Sequence, residues 1–459
     1  MLSLREISSP QLKKIHRGKV RDSFRVDEKR RLIVATDRLS SFDMVLNTRI
    51  PGKGAVLNSL SAWWFGQTRD IVDNHLIKTV GAGASLVHEA EPVKIEMIVR
   101  GYLTGSAWRK YEKGIREVSG VPVPDGLKKN DAFPEPLLTP TTKEEIDREI
   151  SREQLLAEGW VGEDVYSQME KISRKLFEKG SAMLRDRGIV LVDTKYEFGI
   201  RDGKVILIDE IHTPDSSRFW SLEDYEKDPE KVEQLDKEFV RSYLMKNKKQ
   251  GKYPMDLPED IVRETVRRYE AIFNMITGEY IDHPRRPEYE LGACLEDEGL
   301  IKDGFVAIVM GSESDLPHAE KMQKIIEKYD VSCELRIMSA HKNGEAILDL
   351  AEEYNHAVES VAVIAVAGRS NGLGGALAAN LSVPVISCPP FKDKVDLMVN
   401  INSSLMMPSN TPAATVVDPK NAAHLALRCL NLHRLKDVFS NEITGIKKGL
   451  IEADRKVRK

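Results

Sequence analysis

From residue 304 onward the chain repeats one pattern, and that pattern leaves few folds open. Apolar runs recur at "FVAIVM", "CELRIM", "VAVIAVA", "VPVISC" and "AATVV", each followed by a helical or loop segment. Nearly continuous apolar strands alternating with helices specify a parallel sheet covered on both faces. The expectation is a three-layer α/β domain over 304–459. Ligands of such sheets bind outside the carboxyl ends of the strands. The polar motifs of this half all fall there.

The first half has a different grammar. "RRLIVATD" and "VKIEMIVRGY" alternate as strands with one wet face. "EDVYSQMEKISRKLFEKGSAMLRDRG" reads as one long amphipathic helix, ended at Gly188. "IVLVDTKYEFGI" and "KVILIDEIHT", separated by "RDGK", read as a hairpin. The Pro-rich stretch "VPVPDGLKKNDAFPEPLLTPTTKEE" is expected as a long ordered surface loop. Prolines and charges with little periodicity mark 281–303 as a linker, so the expected organisation is an α+β domain over 1–280, the linker, and the α/β domain.

With 459 residues, two to four domains are within reach. A net charge of −4 gives no basic field for nucleic acid or an anionic membrane surface. No apolar stretch is long enough to span a bilayer, and the N-terminus lacks the apolar centre of a signal peptide, so a cytosolic protein is expected. The four cysteines, Cys294, Cys333, Cys388 and Cys429, have no metal-ligand spacing. A disulfide framework or zinc site is not expected.

Three strand ends in the second half carry chemistry. "GSESD", Gly311 to Asp315, enters a helix whose free N–H groups suit a phosphate; Ser312 and Ser314 equally suit plain capping. "SAHK" sets Ser339, His341 and Lys342 at a second strand end, where the histidine is an acid/base candidate. "AGRSNGLGG" places Arg369, Ser370, Asn371 and Gly372 at a third. Glycines there allow close approach by a ligand, or simply a tight turn into a helix.

In this order, "GSESD", "SAHK", "AVAGRSNGLGG" and "PVISCPP" resemble the AIR (aminoimidazole ribonucleotide) carboxylase family of purine biosynthesis over 304 to about 435. The mutase class of that family, which uses N5-carboxy-AIR, typically shows "SAHR" and a "GAGGAAHLPGM"-like loop. Lys342 and "GRSNGLGG" instead resemble the class that takes carbon dioxide directly. The resemblance implies that Gly311, Ser312 and Ser314 hold the ribose phosphate, with Asp315 on the ribose hydroxyls. It implies a carbon dioxide pocket at Arg369, Ser370, Asn371 and Gly372. Lys342 would then stabilise the developing carboxylate, and His341 would remove the C4 proton. Neither ATP nor biotin is expected for that step.

In the first half, "HRGKVRDSF" sets Gly18 between Arg17 and Lys19, with Arg21 beyond, as a nucleotide-phosphate cover or an ordinary basic turn. "ATDRLSSFD" ends in Asp43, and "VRGYLTGSAW" sets Arg100 and Ser106 around two glycines. Alternation puts Asp193, Lys195 and Glu197 of "VDTKYEFG" on one strand face. Asp209 on the paired strand would complete a carboxylate pair for Mg²⁺, which takes hard oxygens. The plain alternative is a salt-bridge ladder around Lys195. "DEIHTPDSSRFW" adds Arg218.

These segments resemble the SAICAR synthetase family, longer form, over residues 10 to about 280. The resemblance implies an ATP-binding domain with Gly18, Lys19 and Arg21 in the phosphate-covering loop and Mg²⁺ on Glu197 and Asp209. Arg100, Ser106, Asp193, Lys195 and Arg218 would hold the imidazole nucleotide, with Asp43 beside the reacting groups. Together the halves imply a bifunctional enzyme that makes carboxy-AIR (CAIR) from AIR and carbon dioxide. It would then join CAIR to L-aspartate with ATP. Relatives of the second domain imply a homo-oligomer, an octamer. The alternatives are a mutase, or an inactive assembly scaffold, in that second domain.

Overall fold

The computed structural model describes residues 2–144, 148–232, 234–368 and 372–458. The chain divides into two compact units, Met1–Arg5 with Ile15–Leu291, and Glu6–Lys14 with Gly292–Lys459. Among the described residues no helix is long and apolar enough to cross a membrane.

Alternation decides the buried side of each strand in the N-terminal unit. Arg30–Ala35 buries Leu32 and Val34 fully. It lies at the centre of a sheet ordered Lys13–Arg17, Arg21–Arg25, Arg30–Ala35, Ala84–His88, Leu76–Val80. A second sheet runs Ala132–Thr142, Glu91–Tyr102, Ile189–Arg201, Lys204–Ile208, and Ser217–Ser221 also pairs with Ile189–Arg201. The expected hairpin is there. Asp202 and Gly203, with φ of 51° and 74°, form its two-residue turn between Arg201 and Lys204, since positive φ at both positions matches the strand twist. The long helix spans Glu163–Arg185, and Gly188 leaves it at φ 74°. With Lys53–Gln67 and Glu259–Thr277 it packs a core that includes Trp64, Leu176, Phe198 and Ile272.

The Pro-rich stretch is not a loop throughout. Ala132–Thr142 is an edge strand on Glu91–Tyr102. Pro134 and Pro136 fall where the register shifts between Ala132 and Leu137, and an edge strand needs ladder partners on one side only.

The C-terminal unit is the expected α/β layer structure. Five parallel strands lie in the order Ser332–Ile337, Gly304–Met310, Ser360–Val366, Val385–Ser387, Ala414–Thr415. Strand Gly304–Met310 feeds both faces. Val306, Ile308 and Met310 enter a core with helices Leu316–Ile326 and Pro419–Cys429. Phe305, Ala307 and Val309 enter another with Glu345–Asn355 and Gly372–Asn380. In chain order the strands run 2-1-3-4-5, so the direction of winding switches between the first and third, where such sheets open a ligand crevice.

Two features differ from expectation. Residues Pro287–Asp297, inside the expected linker, are helical, with Leu291 and Leu295 buried one turn apart; the surrounding charges hide that short period. Segment Glu6–Lys14 belongs to the C-terminal unit. Its Ser8 N–H donates to the His356 carbonyl at 3.0 Å, and the Val358 N–H donates back to the Ser8 carbonyl at 3.1 Å. Ile7 and Leu12 are buried.

Candidate active sites

The N-terminal unit holds a cleft of about 730 Å³ lined by Gly18, Lys19, Arg21, Lys195, Glu197 and Asp209, among others. That size suits a small-molecule ligand. Its roof is the turn between Lys13–Arg17 and Arg21–Arg25. A Cβ on Gly18 would lie 3.0 Å from the Arg21 carbonyl oxygen, and the Gly18 N–H donates to that oxygen at 2.7 Å. Arg38 pins the turn from below. Its guanidinium donates to the carbonyls of Gly18 (3.0 Å) and Lys19 (3.2 Å) and is paired with buried Asp22 at 2.7 Å. Lys19 reaches Asp43 at 2.6 Å, and both are exposed. Asp43 sits in a two-residue turn with Phe42, both at positive φ (61° and 50°), and Phe42 stacks on Tyr253.

Below the roof, charges are paired with one another. Arg21 lies 3.1 Å from Asp209 and 2.6 Å from Glu210. Burial opposes its charge, but Glu210 and Asp209 outweigh burial and raise its pKa. Lys195 bonds Glu197, lies 2.9 Å from Glu96, and is 3.8 Å from Asp209. Here too burial is overcome, by Glu197, Asp209 and Glu96, and the ammonium is held well above its ordinary pKa. Lys143 bonds the other oxygen of Glu197. His75 in the same cleft is pushed down to about 3, by burial first and then by Arg21. Among the described residues no group of three or more His, Cys, Asp or Glu could hold a metal. Glu197 and Asp209 instead flank Lys195, as in the salt-bridge alternative.

Arg100, Asp193 and Arg218 form a second cluster, beyond the residues lining that cleft. Asp193 stands opposite Arg100 on one neighbouring strand and Arg218 on the other. Its Oδ2 is 2.5 Å from Arg218 and 3.6 Å from Arg100. Asp193, the largest influence, raises the Arg218 pKa. Arg218 packs on Gly105 (φ 57°), where a Cβ would come within 2.8 Å of its Nη2. Ser106 follows in the first turn of helix Gly105–Glu112. Glu238 also lies 3.7 Å from Arg218, and the two closely set guanidiniums form a fork of N–H donors of the kind that takes a carboxylate or phosphate.

In the C-terminal unit, "GSESD" and "SAHK" leave adjacent strands at one edge. Ser312 caps the short turn Glu313–Asp315, and the Ser314 hydroxyl donates to its Oγ at 3.0 Å. Burial raises the Asp315 pKa. Asn343 holds the next loop by accepting the Ser339 N–H at 2.7 Å. His341 lies against Gly372, where a Cβ would be 2.8 Å from its Nε2. Lys342 is exposed. Arg369, Ser370 and Asn371 lie outside the described residues.

With the geometry in place, the comparisons bear on both units. The SAICAR synthetase family matches residues 14–257. A Bacteroides fragilis phosphoribosylaminoimidazole-succinocarboxamide synthase is 45% identical over 287 residues, spanning 61% of this chain and 91% of that protein. The chain belongs to the SAICAR synthetase family. A solved SAICAR synthase from Saccharomyces cerevisiae, complexed with SAICAR, is 37% identical with a TM-score of 0.55, covering 61% of this chain and all of that one. The SAICAR synthetase match ends at residue 257, before the parallel-sheet domain. There the AIR carboxylase family matches residues 305–447. Treponema denticola PurE is 35% identical, covering 34% of this chain and 99% of that one, with a TM-score of 0.32. This member of the SAICAR synthetase family thus also carries a domain of the AIR carboxylase family, and the pair places the chain in purine biosynthesis.

The sequence named Arg38 without a role and did not single out Lys143 or Lys53 of this site. Arg38 stands in a quoted motif, but its bonds to the loop carbonyls come from tertiary packing. Lys143 lay in the stretch read as loop. Lys53 opens a helix buried at ten of its fifteen residues and pairs with Asp215 at 2.7 Å; a lysine heading so apolar a segment was the available signal.

Proposed function

We propose that the chain carboxylates AIR with carbon dioxide to CAIR, and then joins CAIR to L-aspartate at the expense of ATP, giving SAICAR, ADP and phosphate. The observation that carries this is one chain holding both kinds of site. One is a cleft of paired charges under a glycine turn, beside an arginine–aspartate cluster. The other is a small-residue edge with His341 against Gly372.

In the synthetase, Gly18, Lys19 and Arg21 cover the phosphates of ATP, with Arg38 holding the turn in place. Arg100, Ser106 and Arg218 orient the nucleotide, with Asp193 fixing both guanidiniums. A carboxylate is a poor electrophile. One of its oxygens therefore attacks the γ-phosphorus, ADP leaves, and an acyl phosphate results. The aspartate amine then attacks the acyl carbon, phosphate departs and the nitrogen loses a proton. Fixed cations such as Lys195 and Lys19 stabilise the charge that builds on the transferring group. Glu197 and Asp209 would hold Mg²⁺ through their carboxylates, the hard oxygen donors that this ion takes. When bound it would neutralise phosphate charge. In the carboxylase, the enamine-like C4 of AIR attacks carbon dioxide, Lys342 stabilises the new carboxylate and His341 takes the C4 proton.

We also propose that the carboxylase domain assembles with copies of itself. Helix Lys394–Leu405 exposes Val395, Met398, Val399 and Leu405, an apolar face of the kind that marks interfaces; light scattering on the purified chain reads the copy number. The test of function supplies AIR and bicarbonate without ATP and looks for CAIR, then adds ATP and aspartate and looks for SAICAR. Faster turnover of N5-carboxy-AIR than of AIR with bicarbonate would replace the carboxylase reading by the mutase one. No CAIR from either would leave a scaffold.

A further inference from the structure

One cation of the synthetase cleft is left without a task. Lys237 lines the cleft and is only 9% exposed. Among the described residues, the carboxylate within ion-pair distance of its ammonium is Asp215, at 3.7 Å. That carboxylate is already committed: Lys53, fully enclosed, lies 2.7 Å from its Oδ2, and the Tyr269 hydroxyl donates to its Oδ1 at 2.7 Å. Two buried lysines therefore share one aspartate. The other described acids nearby have partners of their own. Glu210 pairs with Arg21, Asp236 accepts the N–H groups of Phe219 and Glu238, and Glu238 pairs with Arg218 and Arg241. Lys237 also sits at the N-terminus of helix Glu238–Lys246, where the dipole disfavours a cation. Burial, and then the neighbouring Lys53 and Arg241, depress its pKa, although Asp215 opposes them. A buried, under-neutralised ammonium facing a cleft is destabilising until an anion completes it.

Resting on the synthetase reading above, the anions to be placed are the phosphates of ATP, the imidazole nucleotide and the acidic amino acid. The glycine turn takes the first and the Arg100–Arg218 pair the second. We propose that Lys237 binds a carboxylate of the amino-acid co-substrate, with Asp215 and Lys53 positioning it. The cleft would thereby select a dicarboxylic amino acid over neutral ones.

The test is steady-state kinetics on the full chain with Lys237→Gln, varying aspartate, CAIR and ATP in turn. The KM for aspartate should rise about 10- to 100-fold, the scale of one hydrogen bond to a charged group. The KM values for CAIR and ATP should stay within about threefold. Succinate, a dicarboxylate without the amine, should inhibit the wild type competitively against aspartate and lose that potency in the variant. Lys237→Met keeps the stem volume, buries no polar group, and is read in the same way if the glutamine variant does not fold. A rise confined to the KM for CAIR or ATP, or a fall in kcat with an unchanged KM for aspartate, overturns the assignment alone. A wild-type chain that forms no ADP on addition of aspartate overturns the synthetase reading and the assignment with it.

Discussion

The two sites of this chain handle charge in opposite ways. In the synthetase cleft Arg21, Lys195, Glu197 and Asp209 are half-buried or buried and bound to one another. At the carboxylase edge Ser312, Ser314, His341 and Lys342 are exposed, on loops shaped by hydrogen bonds such as that from the Ser339 N–H to Asn343. The difference follows from the proposed chemistry. Moving a phosphoryl group needs fixed charges in a low-dielectric site, already oriented before the ligand arrives. Adding carbon dioxide to a ring that is already nucleophilic needs a small pocket and one base.

The strongest way to break this contrast is at the base. His341→Asn keeps a hydrogen-bonding side chain but removes the titrating nitrogen. Carboxylation should fall about 10²-fold or more, the usual scale of a lost acid/base group, while SAICAR formation from supplied CAIR stays near the wild-type rate. Both half-reactions are assayed on the one variant, with circular dichroism as the folding control. Unchanged carboxylation removes His341 from the mechanism, and equal loss in both reactions indicates a folding defect. Gly372→Ala pushes a methyl group toward the same imidazole and should give a smaller loss, about tenfold, in carboxylation alone.

On the synthetase side, Glu197→Gln sharpens the comparison by removing one charge from the paired cluster. Loss of one of two anionic donors should raise the Mg²⁺ concentration for half-maximal SAICAR synthesis by about tenfold, roughly one hydrogen bond to a charged group. Carboxylation should not change. Full synthetase activity of the variant at low Mg²⁺ would leave Glu197 as a partner of Lys195 and Lys143 only.

Burial of ionisable groups also gives the N-terminal unit its own pH response. Asp236 is pushed up to about 7 by burial, against the two N–H groups it accepts. Its folded pKa lies above its unfolded one, so its contribution to stability is full below about pH 4 and lost as pH rises through 7. His212 and His75, held down to about 3, act in the opposite sense, with stability present above about pH 6.5 and lost on acidification. Asp236→Asn removes the compensating proton. Between pH 7 and pH 4 the stability of the variant should fall more steeply than that of the wild type, by about 1.4 kcal/mol per pH unit. All five tryptophans lie in the first 220 residues, so tryptophan fluorescence during denaturant unfolding follows this unit. Equal slopes in the two proteins would show that Asp236 is ionised throughout.

How much of this was legible in the sequence depended on the distance between cause and consequence. Strands such as Gly304–Met310 are buried on both faces, so their apolar runs announced a parallel sheet. The hairpin at Asp202–Gly203 is a local event and was equally plain. Ala132–Thr142 was missed because three prolines erase the alternation that marks a strand, and only its edge position makes them tolerable. Helix Pro287–Asp297 was missed because two leucines among charges make a faint signal. In the site, residues beside glycines or inside dense motifs stood out: Lys19, Arg21, Lys195, Asp209 and His341. Lys53 and Lys237 did not, because each acquires its surroundings from segments distant in sequence, and a lone basic residue carries no mark of its partner; Arg38 stood inside a dense motif, but its hold on the glycine turn did not show.

The smallest expected effect concerns the short segment near the N-terminus that completes the C-terminal unit. Gln11 donates to the Lys302 carbonyl at 2.9 Å and to Glu359 at 3.2 Å. Its Oε1 accepts the Lys302 N–H at 3.0 Å and the Ser332 hydroxyl at 2.7 Å. Ser332 and Lys302 flank the first two strands of the parallel sheet in sequence, so one side chain fastens the segment across their amino ends. Gln11→Ala removes these bonds, but solvent can replace part of them because Gln11 is partly exposed. The net cost of an ordinary hydrogen bond is about 1 kcal/mol, and water compensation keeps the total near 1–2 kcal/mol. Hydrogen exchange on the full chain should show faster exchange of the Val358 and Ser8 amides, which pair the segment to the sheet unit. Amides of the Ile189–Arg201 strand should be unaffected. Unchanged protection at Val358 would mean that buried Ile7 and Leu12 hold the segment without Gln11. Faster exchange in both units would mean that the substitution weakens the whole chain rather than this seam.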